Sequence, residues 1–93
     1  MPRPCKRRRI RGKPFTFYFK PRGIKLVELD EIVLSLAEFE ALRLIDLNGI
    51  AQEEAAKLMH VSQPTLSRIL NSARKKVADA IVNAKAIKIE QDN

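Results

Sequence analysis

The sequence predicts an all-α domain: a helix-turn-helix of three or four helices with a long last helix, a basic N-terminal arm, and material for one short strand pair. Three observations predict it. Leu, Ile, Val and Ala dominate the apolar residues, while the 93 residues hold four Phe, one Tyr and no Trp, so the aromatics that favour strands are scarce. Residues 49–71 meet the steric demands of two helices crossing closely around a short turn. The charge is also divided: residues 1–25 carry ten Lys/Arg and no acid, whereas residues 26–93 carry a net charge of −3.

Residues 1–14 contain three prolines and seven of those basic groups (Arg3, Lys6, Arg7, Arg8, Arg9, Arg11 and Lys13). Like charges repel and proline interrupts regular hydrogen bonding, so this segment reads as a basic flexible arm. Residues 15–34 form a strand, a turn and a short connecting segment. Phe15-Thr16-Phe17-Tyr18-Phe19-Lys20 has the aromatic density of a strand, and Pro21-Arg22-Gly23 ends it. Leu26, Leu29, Ile32 and Val33 are spaced for one or two helical turns.

Residues 35–85 hold the helices. Ser35 and Glu38 make an S-x-x-E capping box, in which each side chain satisfies the other's free backbone N–H. Phe39, Leu42 and Ile45, with Ala41 and Leu44 beside them, form an apolar stripe that Asn48-Gly49 terminates. A second helix is expected from about Gln52 to Met59, with Glu53 and Glu54 favourably placed against its dipole. Ala55 and Ala56 are small enough for a close crossing, Val61 can plug the turn, and Ser62 before Gln63-Pro64 restarts the helix.

The last helix meets no breaker until at least Asn83, and positions 66, 70, 73, 77, 80, 84 and 87 form a heptad seam. From Val77 onward the seam needs a cover, either a second subunit or the aromatic strand folded back. Residues 86–93 form a tail. Because Lys85 to Glu90 alternate polar and apolar, the chain can leave the helix there as a strand paired with residues 15–20, within one chain or between two.

The run from Val33 through Glu38-Phe39-Glu40-Ala41-Leu42-Arg43-Leu44, Val61-Ser62-Gln63-Pro64-Thr65 and Ala73-Arg74-Lys75-Lys76 resembles sigma-factor region 4 and the DNA-binding domains of response regulators. Met1-Pro2-Arg3-Pro4, Phe19-Lys20-Pro21-Arg22-Gly23-Ile24 and the Glu38–Leu44 run look closer still to a small prokaryotic family of predicted DNA-binding proteins. The resemblance covers nearly the whole chain and implies a DNA-binding fold with a regulatory role. Two positions depart from the pattern. Ala51 stands where Ser or Thr usually caps the second helix, a loss of about 1 kcal/mol. His60 stands where glycine is usual and must accept a left-handed backbone or a modified turn.

Leu66, Ile69 and Leu70 turn inward, leaving Gln63, Ser67, Arg68 and Asn71 as candidates for base edges: Arg suits guanine, and Gln or Asn suits adenine. Thr65, Arg74, Lys75 and Lys76 are candidates for backbone phosphates, although any exposed helix carries such groups. The arm would release counterions from a polyanion. Its Arg11-Gly12-Lys13-Pro14 resembles, with one lysine substituted, the core of a minor-groove hook; sequence-independent phosphate binding explains the arm equally well.

No catalytic residues, metal site or cofactor are expected. His60 is the only histidine and Cys5 the only cysteine, which gives neither a zinc set nor an intrachain disulfide. No apolar run reaches the roughly 18 residues of a membrane span, and the basic start lacks the apolar stretch of a secretory signal. The expectation is a cytoplasmic, nucleoid-associated transcriptional regulator that binds double-stranded DNA as a homodimer, with RNA polymerase as a further contact. The alternatives are an RNA-binding or ribosome-associated protein, or a protein-interaction module.

Overall fold

The computed structural model describes residues 15–91. In chain order they form strand β1 (Phe15–Phe19), a single 3₁₀ turn (Leu26–Glu28), β2 (Glu31–Leu34), helix α1 (Leu36–Ala41), which continues as a wider π-type turn (Leu42–Leu47), α2 (Gln52–Met59), α3 (Gln63–Asn83) and β3 (Ala86–Gln91). The domain is mostly helical, but the all-α expectation is corrected by a mixed three-stranded sheet of order β1-β3-β2.

β3 is the central strand. It runs antiparallel to β1, with Phe19 opposite Ile87, and parallel to β2, with Ile32 opposite Ile87 and Leu34 opposite Ile89. The aromatic segment and the alternating 85–90 segment therefore pair within one chain. β2 replaces helical turns predicted before Leu34. Its hydrogen-bonding partner lies near the far end of the sequence, and local spacing carries no trace of it. A parallel pair needs a crossover connection; here the whole helical region serves as one.

α1 begins as its sequence requires. Ser35 Oγ accepts from Glu38 N (3.2 Å), and Ser35 N donates to Glu38 Oε1 (2.9 Å). The helix then widens, with Asn48 N donating to Arg43 O. Among the apolar residues of this region Ala41 and Leu44 are buried, while Phe39, Leu42 and Ile45 are only partly covered. The apolar stripe is thus rotated from the 3.6-residue expectation, because the widened turn changes the angle between successive side chains. Gly49, at φ 73°, provides the left-handed exit.

α2 starts at Ala51 without a side-chain cap and ends on a left-handed His60 (φ 59°, ψ 41°). Val61 N donates to Ala56 O and His60 N to Lys57 O, the paired bonds of a Schellman ending. Ser62 then caps α3 by accepting from Thr65 N, with Pro64 in the first turn. The predicted seam holds along α3 as far as Ala80: Leu66, Leu70, Ala73 and Ala80 are buried. It breaks at Ala84, which adopts a left-handed conformation (φ 54°) and ends the helix; Ile87 already belongs to the sheet.

Two apolar clusters lie along α3. One joins Ala41 and Leu44 to Ala55, Ala56, Leu66 and Leu70, with Val61 against it. The other joins Leu34 and Ile89 to Ala73, and Leu42 packs on both. The second cluster sets sheet residues of the same chain, Leu34 and Ile89, against Ala73, just before the stretch from Val77 onward for which the sequence asked a cover.

Candidate nucleic-acid interface

The first turns of α3 are anchored from within and open from without. Leu66 and Leu70 are 0% and 1% exposed, resting on Ala55 and Ala56 at 0% and 4%. Any larger side chain at those alanines would push α2 and α3 apart. On the outer side, Gln63, Arg68 and Asn71 are exposed and Ser67 is half-buried. Their spacings of three, four and five residues place them on adjoining rows of one helix surface. Among the described residues, none of the four side chains makes a hydrogen bond or ion pair. The structure therefore brings all four predicted base-edge residues to one surface with their donors and acceptors uncommitted.

The predicted phosphate contacts divide. Lys75 is exposed and, seven residues after Arg68, returns to the same side of the helix. Thr65 belongs to the cap, its Oγ1 accepting from Ser62 Oγ at 2.9 Å. Arg74, seven residues after Ser67, grips Asp46 through two parallel bonds, Nε to Oδ2 (3.0 Å) and a terminal nitrogen to Oδ1 (2.6 Å). That hydrogen bonding holds the Asp46 carboxyl below its ordinary pKa and the Arg74 guanidinium above its own. Lys76 turns towards the sheet, donating to Val33 O (2.9 Å) and to Glu38 Oε1 (2.8 Å). Arg74 and Lys76 are thus engaged inside the chain. The arm residues Arg3, Lys6, Arg7, Arg8, Arg9, Arg11 and Lys13 lie outside the described residues.

Glu38 is a buried polar residue whose part in the fold sequence reasoning found only in part. Beyond capping α1, its Oε2 accepts from Ser72 Oγ at 2.6 Å. The carboxylate therefore ties the capped end of α1 to α3 while 7% exposed. Burial pushes its pKa up, but hydrogen bonds from Lys76, Ser72 and the Ser35 N–H, with the Lys76 charge, outweigh that and hold it below the ordinary value. Ser72 and Lys76, four residues apart on one helix, were the available signal, since that spacing places a hydroxyl and a cation one above the other.

Comparison with known proteins places the chain in a family. The family described as "Protein of unknown function DUF134" matches residues 1–93. The chain belongs to it. Its similarity to a UPF0251 protein of Thermoanaerobacter pseudethanolicus is 55% identity over 93 residues, covering 100% of this chain and 79% of that protein. A UPF0251 protein of Moorella thermoacetica is 56% identical over 90 residues, covering 97% of this chain and 60% of the relative. One from Dehalococcoides mccartyi is 56% identical over 90 residues, covering 97% and 77%. No solved structure matches the chain. The DUF134 chain also has no helix, among the described residues, that is long and apolar enough to cross a membrane.

Proposed function

We propose that this DUF134 protein binds double-stranded DNA sequence-specifically, as a transcriptional regulator, through a helix-turn-helix formed by α2, its three-residue link and the start of α3. The observation that carries the reading is the outer surface of α3. Gln63, Ser67, Arg68 and Asn71 stand together there, uncommitted, on a helix held rigid from behind by Leu66, Leu70 and the α2 alanines. These side chains would meet base edges in the major groove, where bidentate Arg and amide contacts discriminate between bases. Lys75 and Thr65 would meet phosphates. Arg74 and Lys76 would do so only by leaving Asp46 and Glu38, which makes Lys75 the stronger contact. The basic arm would supply salt-dependent affinity. Binding rather than catalysis, nucleoid association in the cytoplasm, and contact with RNA polymerase follow from the same reading.

Titrating the full chain against a random duplex pool and against structured RNA at physiological salt tests it. Duplex DNA is expected to bind and to resist competition by RNA; RNA competing at equal or lower concentration would favour an RNA-binding protein instead. Arg68→Ala is expected to reduce discrimination at one base-pair position by about 1–3 kcal/mol. Its folding stability should stay within about 0.5 kcal/mol of wild type, as for other exposed sites.

A further inference from the structure

In the run Arg74-Lys75-Lys76, two of the three cations are held by carboxylates of the same chain, and the two holds differ in kind. Lys76 sits in a partly buried network. Its ammonium donates to Glu38 and to Val33 O, and Glu38 also accepts from Ser72 Oγ and from the Ser35 N–H. Releasing Lys76 would strip the counter-charge from a carboxylate that is only 7% exposed. The other hold is simpler. Among the described residues, the Arg74 side chain bonds Asp46 alone, and the Asp46 side chain bonds Arg74 alone. Both remain in contact with water, at 49% and 38% exposure, and an exposed pair of this kind is worth only about two- to fivefold in equilibrium. Arg74 is therefore the cation that α3 can release.

Its position gives that release a consequence. Arg74 follows Ser67 by seven residues and Asn71 by three, so it returns to the outer surface that carries them. Asp46 belongs to the widened turn after α1 and meets the guanidinium from there. A carboxylate and a phosphate diester offer an arginine the same thing: two oxygens sharing one negative charge, matched to its parallel N–H donors. Asp46 thus occupies on Arg74 the fork that a DNA phosphate would use.

We propose that Asp46 is an internal competitor for the DNA backbone, holding Arg74 out of the interface and lowering the affinity of α3 for every duplex. The inference rests on the proposed DNA reading and concerns how strongly that surface binds. Phosphates are present in every sequence, so a free arginine at this place would add affinity for all of them alike. With Arg74 withheld, sequence-independent binding by α3 is weaker, and the helix depends in larger proportion on Gln63, Ser67, Arg68 and Asn71. The division of charge along the chain agrees: residues 26–93 offset their own cations and carry −3, while the surplus positive charge lies in residues 1–25.

Titration of the full chain with a short duplex of mixed sequence, at several salt concentrations, tests the competition. The proteins compared are wild type, Asp46→Asn, Arg74→Ala and the double variant, each checked for wild-type helix content by circular dichroism. Asp46→Asn should bind about two- to fivefold tighter near physiological salt. Its log affinity should fall more steeply against log salt by about 0.9, the value for one further phosphate. Most of the gain should vanish when Arg74→Ala is added. Equal affinity and slope for wild type and a folded Asp46→Asn overturns the competition. So does a gain of the same size in the Arg74→Ala background, which would mean that only the lost negative charge acts. Should Asp46→Asn lose helix content, Arg74→Lys keeps the cation but gives up the two-bond fork; binding tighter than wild type supports the competition, and equal or weaker binding overturns it. Wild-type binding that does not respond at Asp46 removes the competition alone, whereas failure of every protein to bind any duplex removes the DNA reading and the competition with it.

Discussion

Glu38 completes its own helix cap and receives Ser72 and Lys76 from α3, so one carboxylate joins a local cap to a long-range contact. Replacing it with Gln removes the ionic half of this arrangement and leaves a half-buried ammonium facing a neutral group, a cost of about 1–3 kcal/mol near neutral pH. The pH dependence has a definite sign. The native carboxyl titrates below the ordinary range, so as pH falls the unfolded chain takes up its proton first. The stabilisation is present above the ordinary carboxylate pKa and disappears as pH drops through the lower native value. Urea unfolding of wild type and Glu38→Gln from about pH 7 to about pH 3 should show the gap between them closing towards the acid end. A gap independent of pH would mean that the ionised carboxylate contributes nothing. The capping role was legible because both partners lie within four residues. The α3 contact was not, because Ser72 and Lys76 reach Glu38 only after the helices have folded together. The outward set Gln63, Ser67, Arg68 and Asn71 could be read early, since helical periodicity alone fixes which side opposes Leu66 and Leu70.

Among the elements, two helices end on residues poorly suited to the conformation they adopt. His60 and Ala84 both hold φ near +60°, where a Cβ costs about 1–2 kcal/mol and glycine costs nothing sterically. Glycine loses more backbone entropy on folding, which offsets part of the gain. His60→Gly and Ala84→Gly should therefore each raise stability by about 0.5–1 kcal/mol, measured by chemical denaturation. A loss at either position would show that the wild-type side chain makes compensating contacts. The His60 ending was foreseeable from its place in the turn. The Ala84 ending was concealed by a heptad pattern that continues through it, because Ile87 keeps seam spacing while belonging to a strand. β2 was concealed for a related reason: four residues are too few to show alternation, and the strand exists through its pairing with β3. The widening of α1 likewise had no local marker, since Leu42-Arg43-Leu44-Ile45 suits an ordinary helix equally well.

Across the whole molecule, charge and shape are divided between different segments. The helical body is close to neutral, and the positive charge lies before residue 26. If α3 chooses the sequence and the arm supplies affinity, deleting residues 1–13 should weaken binding to all duplexes alike. It should also reduce the slope of log affinity against log salt by about 0.9 for each phosphate that the arm no longer neutralises. Titrations at several salt concentrations measure both effects; unchanged affinity and slope would exclude the arm from the interface. The proposed function turns on whether the outer surface of α3 reads duplex sequence. Repeated selection of bound duplexes from a random DNA pool by the full chain decides that. One inverted repeat should be recovered, with half-site centres about 10 base pairs apart, and its best-defined positions should be lost when Arg68→Ala or Asn71→Ala replaces the wild type. A pool that emerges with no sequence enriched, or with the same sequence enriched by the variants, would rule α3 out as the reading element.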